Sequence, residues 1–468
     1  MSSEKVVEPG ILVVFGITGD LAKRYILPSL YHLVKYDMLD DHTEIIGLTR
    51  GDMQLDDLLA SIELCVSEVD GICDPAAVQK LKKRLTLRHM DVADDAAYQQ
   101  LKQHLDSVEA EHGLPMNRLF YLSVPPAAAG QIIEKLGQNG LHGVAQSGSA
   151  QTRLLAEKPF GGNLADAEDL IKRTAQYFSE EQIFRIDHYL AKETVQNFLT
   201  FRFSNPIFEP LWNKHYIEYI EVIANERLDI EGRVAFYEQT GAVRDLIQSH
   251  LLQILALIIM EQPDELTSDL IHNKKLAALK LLSQADPHTD AVRGQYVGYK
   301  DEVSNPDSRI ETFAAFRFTS SDERWHDVPL IVSSGKALEH KVSEVNVVFK
   351  PTKNSPHHDV LSFRIFPKEG IELSLRVKKP GYDDEVQHVE MNFNYKTAFE
   401  GVEFKPTAYE RVLVDAFRGD HTLFATADEI RESWRVVTPA VEAWTRSSDG
   451  LIEYEKGSKG PDVSVLYP

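Results

Sequence analysis

A chain of 468 residues is too long for one ordinary core, and about 150 residues per domain implies two or three. Its apolar fraction, 43%, supports a large core and excludes a chain that is disordered throughout. Acidic residues exceed basic ones by 72 to 50, and the formal charge of −22 argues against general nucleic-acid binding, so any site for an anion must concentrate its own cations.

In chain order, residues 11–15 form an apolar run that follows charged residues and stops at Gly16, which suits a buried strand better than a secretory leader. Residues 21–35 follow with helical periodicity, and 44–48, 86–90 and 119–123 read as further strands. Helical patterns at 97–111 and 127–136 separate the later ones. Cys65 and Cys73 lack metal-ligand spacing and a nucleophile's setting. Two thiols in so long a chain suit a reducing cytosol, and a cytoplasmic location is expected. Lys80, Lys82, Lys83 and Arg84 sit beside acidic neighbours on an expected helix and read as a solvated face. A glycine- and serine-rich loop at 140–149 precedes a strand at 153–156. Asn163 then suits the cap of a helix at 164–177, and a strand at 183–186 closes the first domain near residue 190. This βαβ succession predicts a parallel sheet covered by helices on both faces.

The remainder, 191–468, changes character. Strand-like composition recurs at 217–224, 312–319, 344–349, 361–366 and 371–377, the last two flanking a hairpin-length turn. Helices are expected at 243–260, 266–282, 408–417 and 428–434. This is an α+β domain on a large, mainly antiparallel sheet. Its longest apolar stretch, 251–260, falls short of the ~20 residues of a membrane span, so no membrane partner is expected.

Directly after the first strand stands Gly16-Ile17-Thr18-Gly19-Asp20-Leu21-Ala22. Small residues between a strand and a helix allow a tight turn and bring backbone N–H groups close to a pyrophosphate at the helix N-terminus. Gly16, Thr18, Gly19, Asp20 and Leu21 are therefore the expected coenzyme loop of a Rossmann-like dinucleotide-binding domain. The second strand ends at Thr49-Arg50. An acidic residue there would hold ribose hydroxyls, whereas Arg50 suits a 2′-phosphate, so NADP is expected, with NAD as a secondary coenzyme.

Two segments carry a family resemblance. Arg185-Ile186-Asp187-His188-Tyr189-Leu190-Ala191-Lys192-Glu193 resembles the R-I-D-H-Y-L-G-K-E signature of glucose-6-phosphate dehydrogenases, and Arg244-Asp245 with Ser249-His250-Leu251-Leu252-Gln253 resembles their catalytic helix. Glu157-Lys158-Pro159-Phe160-Gly161, Gly335-Lys336-Ala337-Leu338, Tyr409-Glu410-Arg411 and Trp434-Arg435 follow the family order. The resemblance implies oxidation of D-glucose 6-phosphate to 6-phosphoglucono-1,5-lactone, the first oxidative step of the pentose phosphate pathway, by a homodimer or homotetramer without a metal. It implies His250 as the base that takes the C1 hydroxyl proton and Asp187 as its partner. It places His188, Tyr189, Lys192 and Lys341 at the sugar phosphate, Lys336 in the sugar and phosphate region, Glu226 and Asp245 at sugar hydroxyls, and Lys158 at both sugar and coenzyme. The i,i+4 spacing of His188 and Lys192 at an expected helix start puts them on one face.

Three departures stand out. Ala191 replaces the signature glycine, Tyr25 stands where the family usually has lysine, and Lys341 where some members carry arginine. Other two-domain sugar and inositol oxidoreductases share the nucleotide loop and the Lys-Pro pair. They are not expected to combine the Asp-His-Tyr segment with a histidine on a separate helix. A sensor without turnover would be expected to have lost His250 or Asp187, and both are present.

Overall fold

The computed structural model describes residues 7–60, 62, 73–143, 150–400 and 406–468. Cys65 and part of the glycine-serine loop lie outside that set. The chain divides into two compact units: 1–161, 165–191 and 405–427 form the first, and 162–164, 192–404 and 428–468 the second.

The first unit is built on parallel strands β1 (Gly10–Phe15), β2 (Glu44–Thr49), β3 (Leu85–His89), β4 (Asn117–Leu122), β5 (Thr152–Ala156) and β6 (Ile183–Ile186). From edge to edge they run β3-β2-β1-β4-β5-β6, and the short strand Phe424–Ala425 adds antiparallel to β6. Every residue of β1 and β4 is buried, as expected of central strands covered on both faces. Helices join the strands. Asp74 and Asp94 cap those at Pro75–Arg84 and Asp95–His112, each carboxylate accepting the N–H two residues on. Lys80, Lys82 and Arg84 on the first of these pair with Asp37, Asp56 and Asp41, so the basic cluster is a charge-paired face.

One boundary differs from the expected split at residue 190. The late segment Lys405–Ala427 belongs to the first unit, not the second. The reason is tertiary. Thr407 and Glu410 form a capping box on the helix Ala408–Arg418, and buried Glu410 also accepts from His32 at 2.7 Å. At the helix's far end, Arg153 donates to the carbonyls of Ala416 and Phe417.

The second unit carries nine strands among the described residues. In chain order the first eight are β7 (Ile217–Asn225), β8 (Ala291–Tyr296), β9 (Phe313–Phe318), β10 (Leu330–Gly335), β11 (Val342–Phe349), β12 (Val360–Phe366), β13 (Gly370–Lys378) and β14 (Val386–Asn394). The sheet order is β14-β13-β12-β11-β7-β10-β9-β8, with Leu451–Tyr454 beyond β8. All neighbours are antiparallel except β7 with β10 and β8 with the terminal strand. The expected helix at 243–260 is two kinds of helix in series, Val243–Leu251 with i→i+5 hydrogen bonding and α-helical Leu252–Ile259. The helical run Val234–Ile259 is long and apolar enough to cross a membrane, but 83% of its most apolar window is buried inside the protein. The helix expected at 428–434 extends over Ala427–Arg446.

Candidate functional site

In the first unit a cavity of about 670 Å³ opens at the C-terminal ends of β1, β2 and β4. Gly16, Thr18 and Gly19 line one part, Thr49, Arg50 and Asp52 another. Gly16 has φ +78°, and a side chain there would collide with the Ser123 carbonyl, so glycine is required by both conformation and space. The Gly16 and Ile17 N–H groups bond to Leu48 O, and Gly19 N–H to Gly16 O at 2.9 Å, which fixes the loop. Arg50 stands one residue beyond β2, exposed, with its carbonyl 3.2 Å from His89 Nε2. Asp20 and Leu21 are not among the described lining residues; Asp20 pairs with Arg24 at 2.8 Å. A cradle that a side chain would fill, a helix start beside it and an arginine at the second strand's end fit a dinucleotide.

Asp187, His188 and Tyr189 follow β6 in a turn, not a helix. The Asp187 carboxylate accepts the Tyr189 N–H at 3.0 Å and its carbonyl accepts the Leu190 N–H, which holds the turn and delays the next helix to Glu193. Lys192 sits at that helix's N-cap in extended conformation, so the expected shared helical face with His188 does not form. Asp187 is 3% exposed. Tyr25 stacks on Tyr409 at 5.1 Å, and Tyr409 on His188 at 6.3 Å, so an aromatic ladder leads to His188 from where the family's lysine would stand. Lys158 follows β5 and the Lys158–Pro159 peptide is cis.

Beside Lys158, Glu157 accepts from the buried Tyr121 hydroxyl at 2.6 Å. Burial pushes the Glu157 carboxyl up to about 7, against the lowering effects of Tyr121 and Lys158. Because the folded value lies above the unfolded one, the folded chain holds the extra proton between the two. Stability must therefore fall as pH rises from the ordinary carboxylate range to about 7, by at most ~1.4 kcal/mol per pH unit. Glu157→Gln is expected to remove that slope, seen as a flatter melting temperature of the first unit between pH 5 and 7.

In the second unit Lys336, directly after β10, is 3% exposed. Its ammonium contacts Glu226, which directly follows β7, lies 3.5 Å from Asp245, and stands 5.1 Å from the centre of the buried Tyr237 ring. The parallel register of β7 and β10, with Asn225 opposite Gly335, brings Glu226 and Lys336 together across 110 residues of sequence. His250 is fully buried on the Val243–Leu251 segment. Lys341, after β10, lies 4.6 Å from the Phe366 ring centre. Burial lowers the Lys192 ammonium's pKa; the nearby Glu369 carboxylate opposes that, and the Lys341 charge adds a smaller lowering effect.

Residues 13–197 match the family model described as glucose-6-phosphate dehydrogenase, NAD binding domain, and 199–466 match the C-terminal domain of the same family. A glucose-6-phosphate 1-dehydrogenase of Chlamydia pneumoniae is 36% identical, covering 98% of this chain and 94% of its own length. One from Aggregatibacter actinomycetemcomitans is 37% identical at 97% and 94%. The chain belongs to the glucose-6-phosphate dehydrogenase family. A solved glucose-6-phosphate dehydrogenase in complex with its substrate glucose-6-phosphate is 33% identical, with TM-score 0.91 over 98% of this chain and 97% of that one. A Mycobacterium avium glucose-6-phosphate 1-dehydrogenase gives TM-score 0.83. Membership in the glucose-6-phosphate dehydrogenase family identifies the chain as an oxidoreductase that takes a nicotinamide dinucleotide.

Within each unit the residues expected from the sequence gather into groups: Gly16, Thr18, Gly19 and Arg50, read from position, at the cavity; and, read from the family resemblance, Asp187, His188 and Tyr189 on one turn, Lys336, Glu226 and Asp245 in one ionic cluster, and Lys192 near Lys341. Sequence reasoning missed Tyr237 under Lys336 and Glu311, which takes two N–H groups where the His250 helix begins. No local sequence pattern marked either residue.

Proposed function

We propose that this chain oxidises D-glucose 6-phosphate at its anomeric carbon to 6-phosphoglucono-1,5-lactone, with NADP preferred and NAD a secondary coenzyme. The observation that carries the reading is the buried Lys336 ammonium, in contact with Glu226 and 3.5 Å from Asp245, which gathers hydrogen-bonding groups suited to a sugar on the same segment that bears His250. Lys192, Lys341, His188 and Tyr189 receive the sugar phosphate. Lys336 holds Glu226 and Asp245 as fixed acceptors for sugar hydroxyls. His250 takes the C1 hydroxyl proton, Asp187 orients its imidazole and stabilises the cation formed, and Lys158 bridges sugar and coenzyme. Gly16, Thr18, Gly19, Asp20 and Leu21 cradle the pyrophosphate, and Arg50 meets the 2′-phosphate. The bound dinucleotide supplies the hydride acceptor. A homodimer or homotetramer is the proposed assembly.

The deciding experiment is a steady-state assay with glucose 6-phosphate and either coenzyme; absence of turnover with both would overturn the reading. Arg50→Ala is expected to lower kcat/KM for NADP about tenfold or more, as loss of a charged hydrogen bond implies, and to leave NAD within about twofold. Equal losses for both coenzymes would remove Arg50 from the 2′-phosphate.

A further inference from the structure

Asp245 and His250 are five residues apart. On an α-helix, at 100° per residue, that spacing puts them about 140° apart, on different faces. Val243–Leu251 is instead a wide helix whose N–H groups reach back five residues, as in the bond from Leu252 N–H to Ile247 O. In that geometry residues five apart stand nearly above one another, as residues four apart do on an α-helix. Wide turns of this kind are rare and need support, because their hydrogen-bond rings compete with the α-helical ones.

The support enters at the first turn. Gly241, just before it, has φ +62° and ψ −176°, which breaks the preceding helix Val234–Ala242 and leaves no side chain to cap the next one. Glu311, before β9 and 4% exposed, fills the place. Its carbonyl accepts the Ala242 N–H at 3.0 Å and its carboxylate the Val243 N–H at 3.1 Å. A methyl group on Gly241 would collide with that carboxylate, so the glycine opens the space that Glu311 occupies. Arg244 and Arg293 balance its charge, and Arg244 is itself tied to the Gly162 carbonyl at 2.7 Å.

We infer that Glu311 is a positioning residue: by capping the first turn through the Gly241 opening it holds Val243–Leu251 in the i→i+5 register that turns Asp245 and His250 to one side. The inference rests on the proposed roles of those two residues. It makes the reach of the Glu311 side chain, not its charge, the essential property, since Gln offers an acceptor at the same distance and Asp stops one methylene short.

The test compares Glu311→Gln with Glu311→Asp, measuring kcat and KM for glucose 6-phosphate, coenzyme dissociation and melting temperature. Gln is expected to keep kcat within about threefold, while Asp loses about tenfold or more, a cost typical of a small misplacement. Coenzyme affinity should be the same in both, since the dinucleotide cavity is built by the first unit. Asp as active as the parent, or Gln as impaired as Asp, would overturn the inference. If the Asp variant does not fold, Gln alone decides, and a tenfold loss there is the overturning result. A parent chain inactive on glucose 6-phosphate would instead sink the functional reading and leave that failure distinguishable.

Discussion

His250→Asn is expected to reduce turnover of glucose 6-phosphate by about 10²–10⁴-fold while leaving the sugar phosphate bound nearly as before. Asparagine preserves much of the volume and hydrogen-bonding capacity at a fully buried position, so packing of the helix should survive. What it cannot do is accept a proton near neutral pH, the one property the proposed mechanism asks of this side chain. The measurement is kcat beside an independent dissociation constant for glucose 6-phosphate. Turnover within a few-fold of the parent would remove His250 from the chemistry. Weakened binding with unchanged kcat would make it a binding group instead.

Lys336→Met is expected to damage both stability and catalysis. The ammonium sits almost wholly out of water between Glu226 and Asp245, and methionine removes its charge from between the two carboxylates. Removing one partner of a fully buried pair costs about 3–5 kcal/mol, and because the Glu226 side chain is 34% exposed the loss here should lie below that range, at about 1–3 kcal/mol. A clear drop in the second unit's melting temperature should accompany an activity loss of about a hundredfold or more. The cause is separable by a double-mutant cycle. Glu226→Gln on the Lys336→Met background should cost much less than on the parent, because the repulsion it relieves exists only there. Additive effects would show that the two residues do not act as a unit.

The architecture of the first unit was legible because each strand declares itself locally. Residues 11–15 are an apolar run bounded by Gly16, residues 183–186 are apolar but for Arg185 and stop at Asp187, and the glycine loop sits where a strand meets a helix. The second sheet was legible only in part. Ala291–Tyr296 was missed because its buried Arg293 and Gln295 imitate a polar loop. Arg293 tolerates burial by donating to the carbonyls of Trp444, Ser447 and Asp449, some 150 residues away, which no local pattern announces. Val386–Asn394 was hidden for the opposite reason, being an edge strand with most side chains exposed. Nor could apolar spacing in 243–260 reveal a change of helical pitch, since Val243–Leu251 spans only about two turns, too few for the two periods to drift apart. At the site, Arg50 and the glycine loop followed from position. The meeting of Lys336 with Glu226 is a product of strand register; the family resemblance placed both near the sugar but did not pair them.

The return of residues 405–427 to the first unit sets a timetable for the nascent chain. When β6 leaves the ribosome, the strand that completes its free edge is still untranslated; Arg185 and its acceptor Ala425 O are 240 residues apart. At 5–20 residues per second that interval is roughly 10–50 s, during which the edge stays open and Arg153 lacks its carbonyl acceptors. The coenzyme-binding unit, although first in translation, can be finished only after most of the second has been synthesised.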